Sequence, residues 1–181
     1  MRPKAQYAFL EHDGILAFAH RGGDRVAPEN TMAAFQNARD QGYTYLETDV
    51  HASADGVVYA FHDDDLQRMV GEPVAISTLS AKQIDVLRVE GGHAIPRMAD
   101  LFEAFPEAKF NIDAKAWPVV EPLAKLVQQT RTQDRICIGS FSDGRIQKLV
   151  QEIPNVCHSL GPKGAFKFRT AALIGKRVSF K

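Results

Sequence analysis

Short apolar runs that end in chemically active side chains constrain the fold of this chain more than any other feature. Three such runs occur in the first third of the chain, at 15–19, 43–50 and 57–61. His20 directly follows the first run, and His62 directly follows the third. Glu47 and Asp49 lie inside the second run. In a barrel of parallel strands the carboxyl ends of the strands carry the chemistry, so this stretch predicts an α/β fold with a site at one mouth of the sheet.

Strands and helices continue to alternate through the rest of the chain, which predicts six strands in all. Further strands are expected at 109–115, 135–139 and 156–160, and helices at 32–41, 81–87, 98–105, 118–130, 143–152 and 165–174. The first run has no polar alternation, which predicts a strand buried on both faces. Apart from one short helix, 66–95 is expected to be irregular. The Asp55-Gly56 turn between the second and third strands is typical of a hairpin, and the loop there is short for a helical crossover.

Length and composition indicate one domain with a buried core. The 181 residues are 45% hydrophobic and 24% charged, as in ordinary globular domains. We expect 1–14 to be a loose lead-in and 15–181 to form the domain. No apolar run approaches the ~20 residues of a transmembrane helix, and the N-terminus has no apolar core of a signal peptide. Cys137 and Cys157 lie in apolar runs and are expected to be buried, reduced thiols, so the predicted location is the cytoplasm.

Charge bears on the partners that the chain can take. The formal net charge is zero, which argues against a nucleic-acid binder held by phosphate contacts. After Glu152 the chain has no acidic residue and six basic ones: Lys163, Lys167, Arg169, Lys176, Arg177 and Lys181. They form either a patch for weak contact with an anionic membrane surface or substrate or a solvated helix face with a ragged end. We favour the solvated face.

Carboxylates on neighbouring strands suggest a metal site. Side chains two positions apart point to the same side of a strand, so Glu47 shares a face with Asp49, and Asp113 shares one with Lys115. Three carboxylates at one barrel mouth would offer oxygen ligands to a hard divalent cation such as Mg²⁺ or Ca²⁺. Alternatively, Glu47 and Asp49 are surface carboxylates, and the other side of their strand forms the core.

Basic side chains accompany these carboxylates. Two histidines at strand ends can divide general acid and general base work near neutral pH, although a single histidine is more often a structural residue. Arg21 has the planar guanidinium that suits phosphate, and Lys115 offers a second positive charge. Hydrolysis of a phosphodiester needs cationic groups on the phosphoryl oxygens and two groups that transfer protons. The combination therefore favours phosphodiester hydrolysis.

Together, these motifs resemble the signature of the glycerophosphodiester phosphodiesterases over roughly residues 15–160. The matching positions are His20-Arg21-Gly22, Ala27-Pro28-Glu29-Asn30-Thr31, Phe35, Ala38, Gly42, Glu47-x-Asp49-Val50, Asp55-Gly56, His62-Asp63, Leu66-x-Arg68, Ile95-Pro96, Asn111-Ile112-Asp113-Ala114-Lys115 and Ser140-Phe141. The resemblance implies a TIM-type (β/α)8 barrel. It also implies hydrolysis of small glycerophosphodiesters to sn-glycerol 3-phosphate and an alcohol, with a divalent metal, Mg²⁺ or Ca²⁺.

The resemblance also implies roles for individual residues. By position, His20 and His62 would be the catalytic acid and base, Glu47, Asp49 and Asp113 the metal ligands, Arg21 and Lys115 the phosphate contacts, and Glu29 and Asn30 supporting residues. Glu29 would lie beside the metal or order the mouth, and Asn30 would support the loop. His51 shares the face of the metal carboxylates but lies outside the signature, and we expect it to line the mouth or lie on the surface.

The chain departs from the family pattern in two places. Asp113 stands where the family usually has Glu, and the family's last two strands, with an aromatic-rich run, have no counterpart after Leu160. Since a closed barrel needs about 200 residues or more, we expect a C-terminally incomplete barrel, a fragment of a longer protein. Two alternatives stay open: a relative of the lysophospholipase D type that acts on lysophospholipids, and a truncated chain that is inactive or only binds.

Overall fold

The computed structural model describes residues 5–23 and 25–173. Its strands are β1 (Phe18–Ala19), β2 (Tyr45–Ala52), β3 (Val58–Ala60), β4 (Arg88–Val89), β5 (His93–Ala94), β6 (Lys109–Ala114), β7 (Ile136–Gly139) and β8 (Cys157–His158). Its helices are α1 (Met32–Asp40), α2 (Gln67–Val70), α3 (Ala81–Asp85), α4 (Met98–Ala104), α5 (Val120–Thr130), α6 (Asp143–Glu152) and α7 (Pro162–Leu173). None of the helices in these ranges has the length and apolar character that a bilayer crossing demands.

The main sheet contains the six predicted strands in the order β1-β2-β6-β7-β8, with β3 beside β2. The five strands of the ordered path are parallel, whereas β3 runs antiparallel to β2. The hairpin suggested by Asp55-Gly56 is therefore present, and no helical crossover is needed between β2 and β3. Over the described residues the sheet stays open, with β1 and β8 at its two ends.

The core lies between one face of this sheet and the helices. In β6, Phe110, Ile112 and Ala114 are fully buried, whereas the residues between them are only partly buried. Phe102 of α4 packs edge-on against Phe110, with 5.5 Å between the ring centroids. Because successive side chains of a strand alternate between its faces, this packing turns Asn111 and Asp113 to the other face of the sheet.

The first strand is shorter than predicted. Only Phe18 and Ala19 pair with β2, opposite Tyr45 and Leu46. Ile15 is 88% exposed, so the expectation that both faces of the whole run are buried is wrong. The physical reason is that β1 ends the sheet: residues before Phe18 have no partner strand, and without a second layer the apolar side chain of Ile15 stays in solvent.

The lead-in is not loose where the structure describes it. Phe9 is buried against Tyr45, and the Tyr45 hydroxyl donates a hydrogen bond of 2.6 Å to the carbonyl of Phe9. Lys109 Nζ donates to the carbonyls of Ala8 and Glu11 at 3.0 and 2.7 Å. The lead-in thus covers the amino end of the sheet. Cys137 and Cys157 lie in the same cluster, buried and free, as predicted.

The segment expected to be irregular contains more structure than the sequence indicates. Besides α3 it forms the one-turn helix α2 and the strand pair β4–β5. A second apolar cluster, centred on Tyr59, Leu66, Ile76 and Ile84, holds this segment against the hairpin. Two-residue strands and one-turn helices carry too few residues to show a periodicity, which explains why the pattern missed them.

Candidate active site

The three predicted metal carboxylates lie on the face of the sheet opposite the helices. Asp49 of β2 pairs directly with Asp113 of β6, and Glu47 pairs with Asn111 two positions earlier. Asp49 is only 3% exposed, and its neighbours Leu46 and Val50 are buried on the helix side. The alternative that Glu47 and Asp49 belong to a solvated strand face is therefore wrong, since both faces of β2 are covered.

The loop after β1 holds the side chain of Glu47 in place. The backbone N–H of Arg21 donates to Glu47 Oε2 at 3.1 Å, and His20 Nε2 lies 3.8 Å from the same oxygen. Burial, followed by the negative charges of Asp49 and Asp113, raises the pKa of Glu47 to about 7 in all, against the opposing effect of Arg21. A cation placed beside Glu47 would therefore stabilise the charged form of its carboxylate.

The ammonium group of Lys115 lies between the two aspartates. Lys115 Nζ lies 3.3 Å from Asp49 Oδ1 and 3.3 Å from Asp113 Oδ2. The second oxygen of Asp113, Oδ1, is buried and has no hydrogen-bond partner among the described residues. A buried carboxylate oxygen without a donor is unfavourable, and a bound cation would satisfy it.

The donor set fits a hard divalent cation. Three carboxylates, one with an unused buried oxygen and one with a raised pKa, provide the oxygen ligands that Mg²⁺ and Ca²⁺ prefer. The described part of the chain nevertheless contains no group of three or more His, Cys, Asp or Glu side chains already spaced to hold a metal ion. The amino group of Lys115 lies between two of the carboxylates instead, so binding would require that side chain to move.

Arg21 is bound to carboxylates in this structure. Its Nη1 contacts both carboxylate oxygens of Glu29 at 3.0 Å, and its Nε forms an ion pair of 3.1 Å with Asp49 Oδ2 without the direction of a hydrogen bond. The backbone of Arg21 is left-handed, with φ at 53°. Glu29 therefore holds the guanidinium of Arg21 in this structure, and the roles expected of Glu29 and of Arg21 stay predictions.

Asn30 ties the loop before α1 to the floor of the site. Its Nδ2 donates to Asp49 Oδ2 at 3.3 Å, and its Oδ1 accepts a bond of 2.8 Å from the hydroxyl of Thr48. The residue has a left-handed backbone, with φ at 56°, a conformation that Asn tolerates better than most residues. Thr31 follows and caps α1, accepting from the N–H of Ala34. Asn30 therefore joins this loop to Asp49 and Thr48, and its supporting role in the site stays a prediction.

The two histidines stand in different surroundings. The side chain of His20 is 71% exposed, and its Nε2 lies 3.8 Å from Glu47 Oε2. His62 is partly buried, and its Nδ1 lies 2.6 Å from Asp63 Oδ1. The surface alternative for His51 is wrong: this residue is 2% exposed, and its Nε2 lies 3.3 Å from the carbonyl of His62. Burial lowers the pKa of His51, which favours a neutral ring beneath His62.

Sequence reasoning overlooked one participant, Arg68. This side chain contacts Asp63 and Glu29, with 2.6 Å between Nε and Asp63 Oδ2 and 2.5 Å between Nη2 and Glu29 Oε1. The motif Leu66-x-Arg68 was part of the resemblance to the family, but no function was predicted for Arg68 from it. The available signal was an arginine five residues after a strand-end His-Asp pair, within reach of the aspartate.

An apolar cavity opens beside the carboxylates. It has a volume of about 360 Å³ and lies between the ends of β6, β7 and β8 and the start of α7. Its apolar lining includes Phe141, Leu160 and Ala165, and Glu47 and Asp113 border it. Lys115 Nζ lies 5.8 Å from the centre of the Phe141 ring. A substrate bound at the carboxylates can therefore place an apolar part against these side chains.

Comparison with known proteins agrees with this geometry. The model of the glycerophosphoryl diester phosphodiesterase family matches residues 20–160. The chain is 36% identical over 172 residues to a probable glycerophosphodiester phosphodiesterase 2 of Mycobacterium tuberculosis, covering 94% of this chain and 65% of that protein. It is 34% identical over 149 residues to a lysophospholipase D GDPD1 of Rattus norvegicus, covering 74% of this chain and 48% of that protein. The chain thus spans from about half to two thirds of the length of these relatives.

Solved structures show the same fold. A glycerophosphodiester phosphodiesterase from Agrobacterium tumefaciens superposes with a TM-score of 0.73 at 32% identity, covering 79% of this chain and 65% of that one. A phosphodiesterase from Oleispira antarctica, solved with its product sn-glycerol-3-phosphate, superposes with a TM-score of 0.74 at 23% identity, covering 87% and 71%. The predicted α/β fold of TIM-barrel type is confirmed by this likeness. The chain belongs to the glycerophosphoryl diester phosphodiesterase family.

Proposed function

We propose that this chain carries the phosphate-hydrolysing site of a metal-dependent glycerophosphodiester phosphodiesterase, which releases sn-glycerol 3-phosphate and an alcohol. The observation that carries the proposal is the convergence of Glu47, Asp49 and Asp113 on one face of two paired strands, with His20 3.8 Å from Glu47. Lys115 contacts two of these carboxylates and Arg21 shares its charge between Asp49 and Glu29, which leaves an excess of negative charge that a cation would relieve. The family to which the chain belongs supports the substrate class.

In the proposed mechanism, a divalent cation held by Glu47, Asp49 and Asp113 would stabilise negative charge on the phosphoryl oxygens. Lys115, released from the two aspartates, would contact the phosphate. Arg21 would do so through Nη2, since its Nη1 contacts Glu29 and its Nε pairs with Asp49. His20 and His62 would exchange protons with the attacking nucleophile and the leaving alcohol. Glu29 and Asn30 would keep the loop around Arg21 in place through the bonds described above.

A direct assay tests the proposal. The 181-residue chain is purified and incubated with glycerophosphocholine and Mg²⁺, with Ca²⁺, or with EDTA. We expect metal-dependent release of sn-glycerol 3-phosphate. Turnover that is insensitive to EDTA would contradict the metal assignment. If this chain has no turnover while the same chain extended at its C-terminus has turnover, the site needs residues beyond those present here, and the alternative of an inactive or binding-only chain holds.

The apolar cavity supports a second candidate, hydrolysis of lysophospholipids. Phe141, Leu160 and Ala165 line it within the same site, and the relative from Rattus norvegicus is a lysophospholipase D. A larger, polar side chain in the cavity should affect the hydrolysis of the two substrate classes differently. Replacement of Ala165 by Gln should lower turnover of lysophosphatidylcholine more than turnover of glycerophosphocholine, if acyl chains bind there. Equal effects on both substrates would contradict the second candidate.

The predicted cellular location and the predicted contact with an anionic membrane surface stay predictions. The cytoplasmic location is supported by the two free thiols Cys137 and Cys157. Of the basic C-terminal residues, Lys163, Lys167 and Arg169 lie on α7. The remaining three, Lys176, Arg177 and Lys181, lie outside the described residues.

A further inference from the structure

A continuous series of charged contacts joins the two loops that carry the histidines. It begins at Arg21 beside His20, passes through Glu29 to Arg68, and ends at Asp63 beside His62. Arg68 is its central member: Nη2 lies 2.5 Å from Glu29 Oε1 and 3.1 Å from Asp63 Oδ1, and Nε lies 2.6 Å from Asp63 Oδ2. The planar guanidinium therefore faces two carboxylates from two different loops at once, as only arginine can with a fixed geometry.

The position of Arg68 is fixed by its own short helix. Leu66, which precedes α2, is fully buried, and its N–H donates to the carbonyl of Val74 at 3.0 Å. The carboxylate of Asp65 accepts from the N–H of Gln67 at 3.0 Å. Isolated surface ion pairs contribute little because two long side chains must be ordered. Here the backbone around Arg68 is already held by these bonds, so the Arg68 side chain loses less conformational freedom when it forms its ion pairs.

Asp63 determines which nitrogen of His62 carries the proton. Its Oδ1 lies 2.6 Å from His62 Nδ1. The hydrogen bond from Arg68 lowers the pKa of Asp63, and the bond to His62 lowers it further, while burial opposes both. A charged carboxylate can only accept hydrogen bonds, so Nδ1 must be the donor. Nε2 is then the ring nitrogen left for a substrate.

We propose that Asp63 and Arg68 are positioning residues for His62: Asp63 holds the ring in the Nδ1-protonated tautomer, and Arg68 fixes Asp63 in the place where it can do so. This inference rests on the proposed function in one respect: the proposed function is what makes His62 a catalytic residue. The tautomer and the orientation follow from contacts within the chain. Through Glu29, Arg68 also couples the position of His62 to that of Arg21.

The tautomer can be measured without any activity. Long-range ¹⁵N–¹H NMR correlations of the His62 ring, recorded at a pH where the ring is neutral, distinguish a protonated Nδ1 from a protonated Nε2. We expect a protonated Nδ1 in the wild-type chain. Asp63→Ala should shift the ring toward the Nε2-protonated form. Arg68→Ala should shift it in the same direction by less, and Arg68→Lys by less again, because lysine keeps the charge without the fork.

The chain offers a matched control in Arg97. Its guanidinium forms the same two-point contact with Asp85 and, like Arg68, it is partly exposed. Asp85 in turn accepts from the hydroxyl of Tyr59, where Asp63 contacts His62 instead. Arg97→Ala should lower the midpoint of thermal unfolding as Arg68→Ala does, yet leave the His62 tautomer unchanged. If Arg68→Ala does not fold, Asp63→Ala and Arg68→Lys carry the same test.

Kinetics add a second readout that separates the two proposals. With glycerophosphocholine, kcat should fall about 100-fold in Asp63→Ala and about 10-fold in Arg68→Ala, with KM changed less than about 3-fold. An unchanged tautomer in both variants would overturn the positioning role, whatever their activity. A shifted tautomer in a chain whose wild type has no turnover would support the positioning role and count against the proposed function.

Discussion

Asp49 and Asp113 stand directly opposite each other on paired parallel strands, and one ammonium group, Lys115 Nζ, lies 3.3 Å from each of them. Like charges on directly opposed strand positions are destabilising, so this pairing depends on the cation between them. Glu47 adds a third carboxylate nearby, and burial together with the charge of Asp49 raises its pKa. The site is therefore arranged for more positive charge than Lys115 and Arg21 supply.

Divalent cations should stabilise the fold through this site. At a Mg²⁺ or Ca²⁺ concentration 100-fold above Kd, the free energy of unfolding should rise by about 2.7 kcal/mol, which raises the midpoint of thermal unfolding by about 5–10 °C. Asp113→Asn should remove most of this shift. Glu121→Gln, which changes an exposed carboxylate on α5, is the control and should keep it. An equal shift in both variants would mean that the cation binds elsewhere.

Lys115→Met tests whether the lysine substitutes for a cation. Without metal, the variant should lose about 2 kcal/mol of unfolding free energy, because the buried Asp49 and the partly buried Asp113 lose the ammonium group that they share. Added Mg²⁺ should restore the variant by more than it stabilises the wild type. Urea unfolding with EDTA and with Mg²⁺ measures both differences. If metal stabilises the two proteins equally, Lys115 does not compete for the carboxylates.

The sequence brought the carboxylates of this site together in two steps. Strand alternation put Glu47 on the same face as Asp49, and Asp113 on the same face as Lys115; the resemblance then placed the two strands in one barrel. What the sequence did not show depends on long side chains and tertiary contacts. The contact of Arg68 with Glu29 joins residues 39 positions apart, and the burial of Phe9 depends on the amino end of the sheet, which no local pattern reveals. Short elements such as α2, β4 and β5 were missed for a different reason, since they are too short to show a periodicity.

The histidines should be needed for turnover and dispensable for folding. His20→Ala and His62→Ala should each lower kcat for glycerophosphocholine by about 10²–10⁴-fold. The exposed His20 contributes few contacts, so His20→Ala should unfold at nearly the wild-type temperature. Steady-state kinetics with thermal unfolding separate the two effects. Wild-type kcat in either variant would remove that residue from the mechanism.

Glu47 should make the metal-free chain less stable as the pH rises. Its pKa of about 7 in the folded state exceeds the ordinary value of 4.5, so the folded state binds more protons between these values. The free energy of unfolding should therefore fall from pH 4.5 through pH 7, by about 3 kcal/mol at most from this group. Urea unfolding in EDTA at pH 5.5 and pH 8 measures the loss. Glu47→Gln should show a smaller loss, and an identical slope in the variant would contradict the assignment.

Two adjacent glycines offer a test of how tightly the His20 loop must approach α1. A Cβ at Gly22 would lie 2.9 Å from the Ala34 carbonyl carbon and the Phe35 nitrogen, whereas a Cβ at Gly23 would meet nothing within 4 Å. Both residues have positive φ, 79° and 83°, so alanine at either position costs about 1–3 kcal/mol in backbone strain. Gly22→Ala adds a clash with backbone atoms that cannot turn away, which should cost about 1–3 kcal/mol more and displace the N–H of Arg21 from Glu47. We therefore expect Gly22→Ala to lower both the unfolding temperature and the affinity for Mg²⁺, and Gly23→Ala to lower only the unfolding temperature. Calorimetric titration of both variants with Mg²⁺ measures the two affinities. Equal affinities would show that the packing of the His20 loop against α1 does not affect metal binding by the carboxylates.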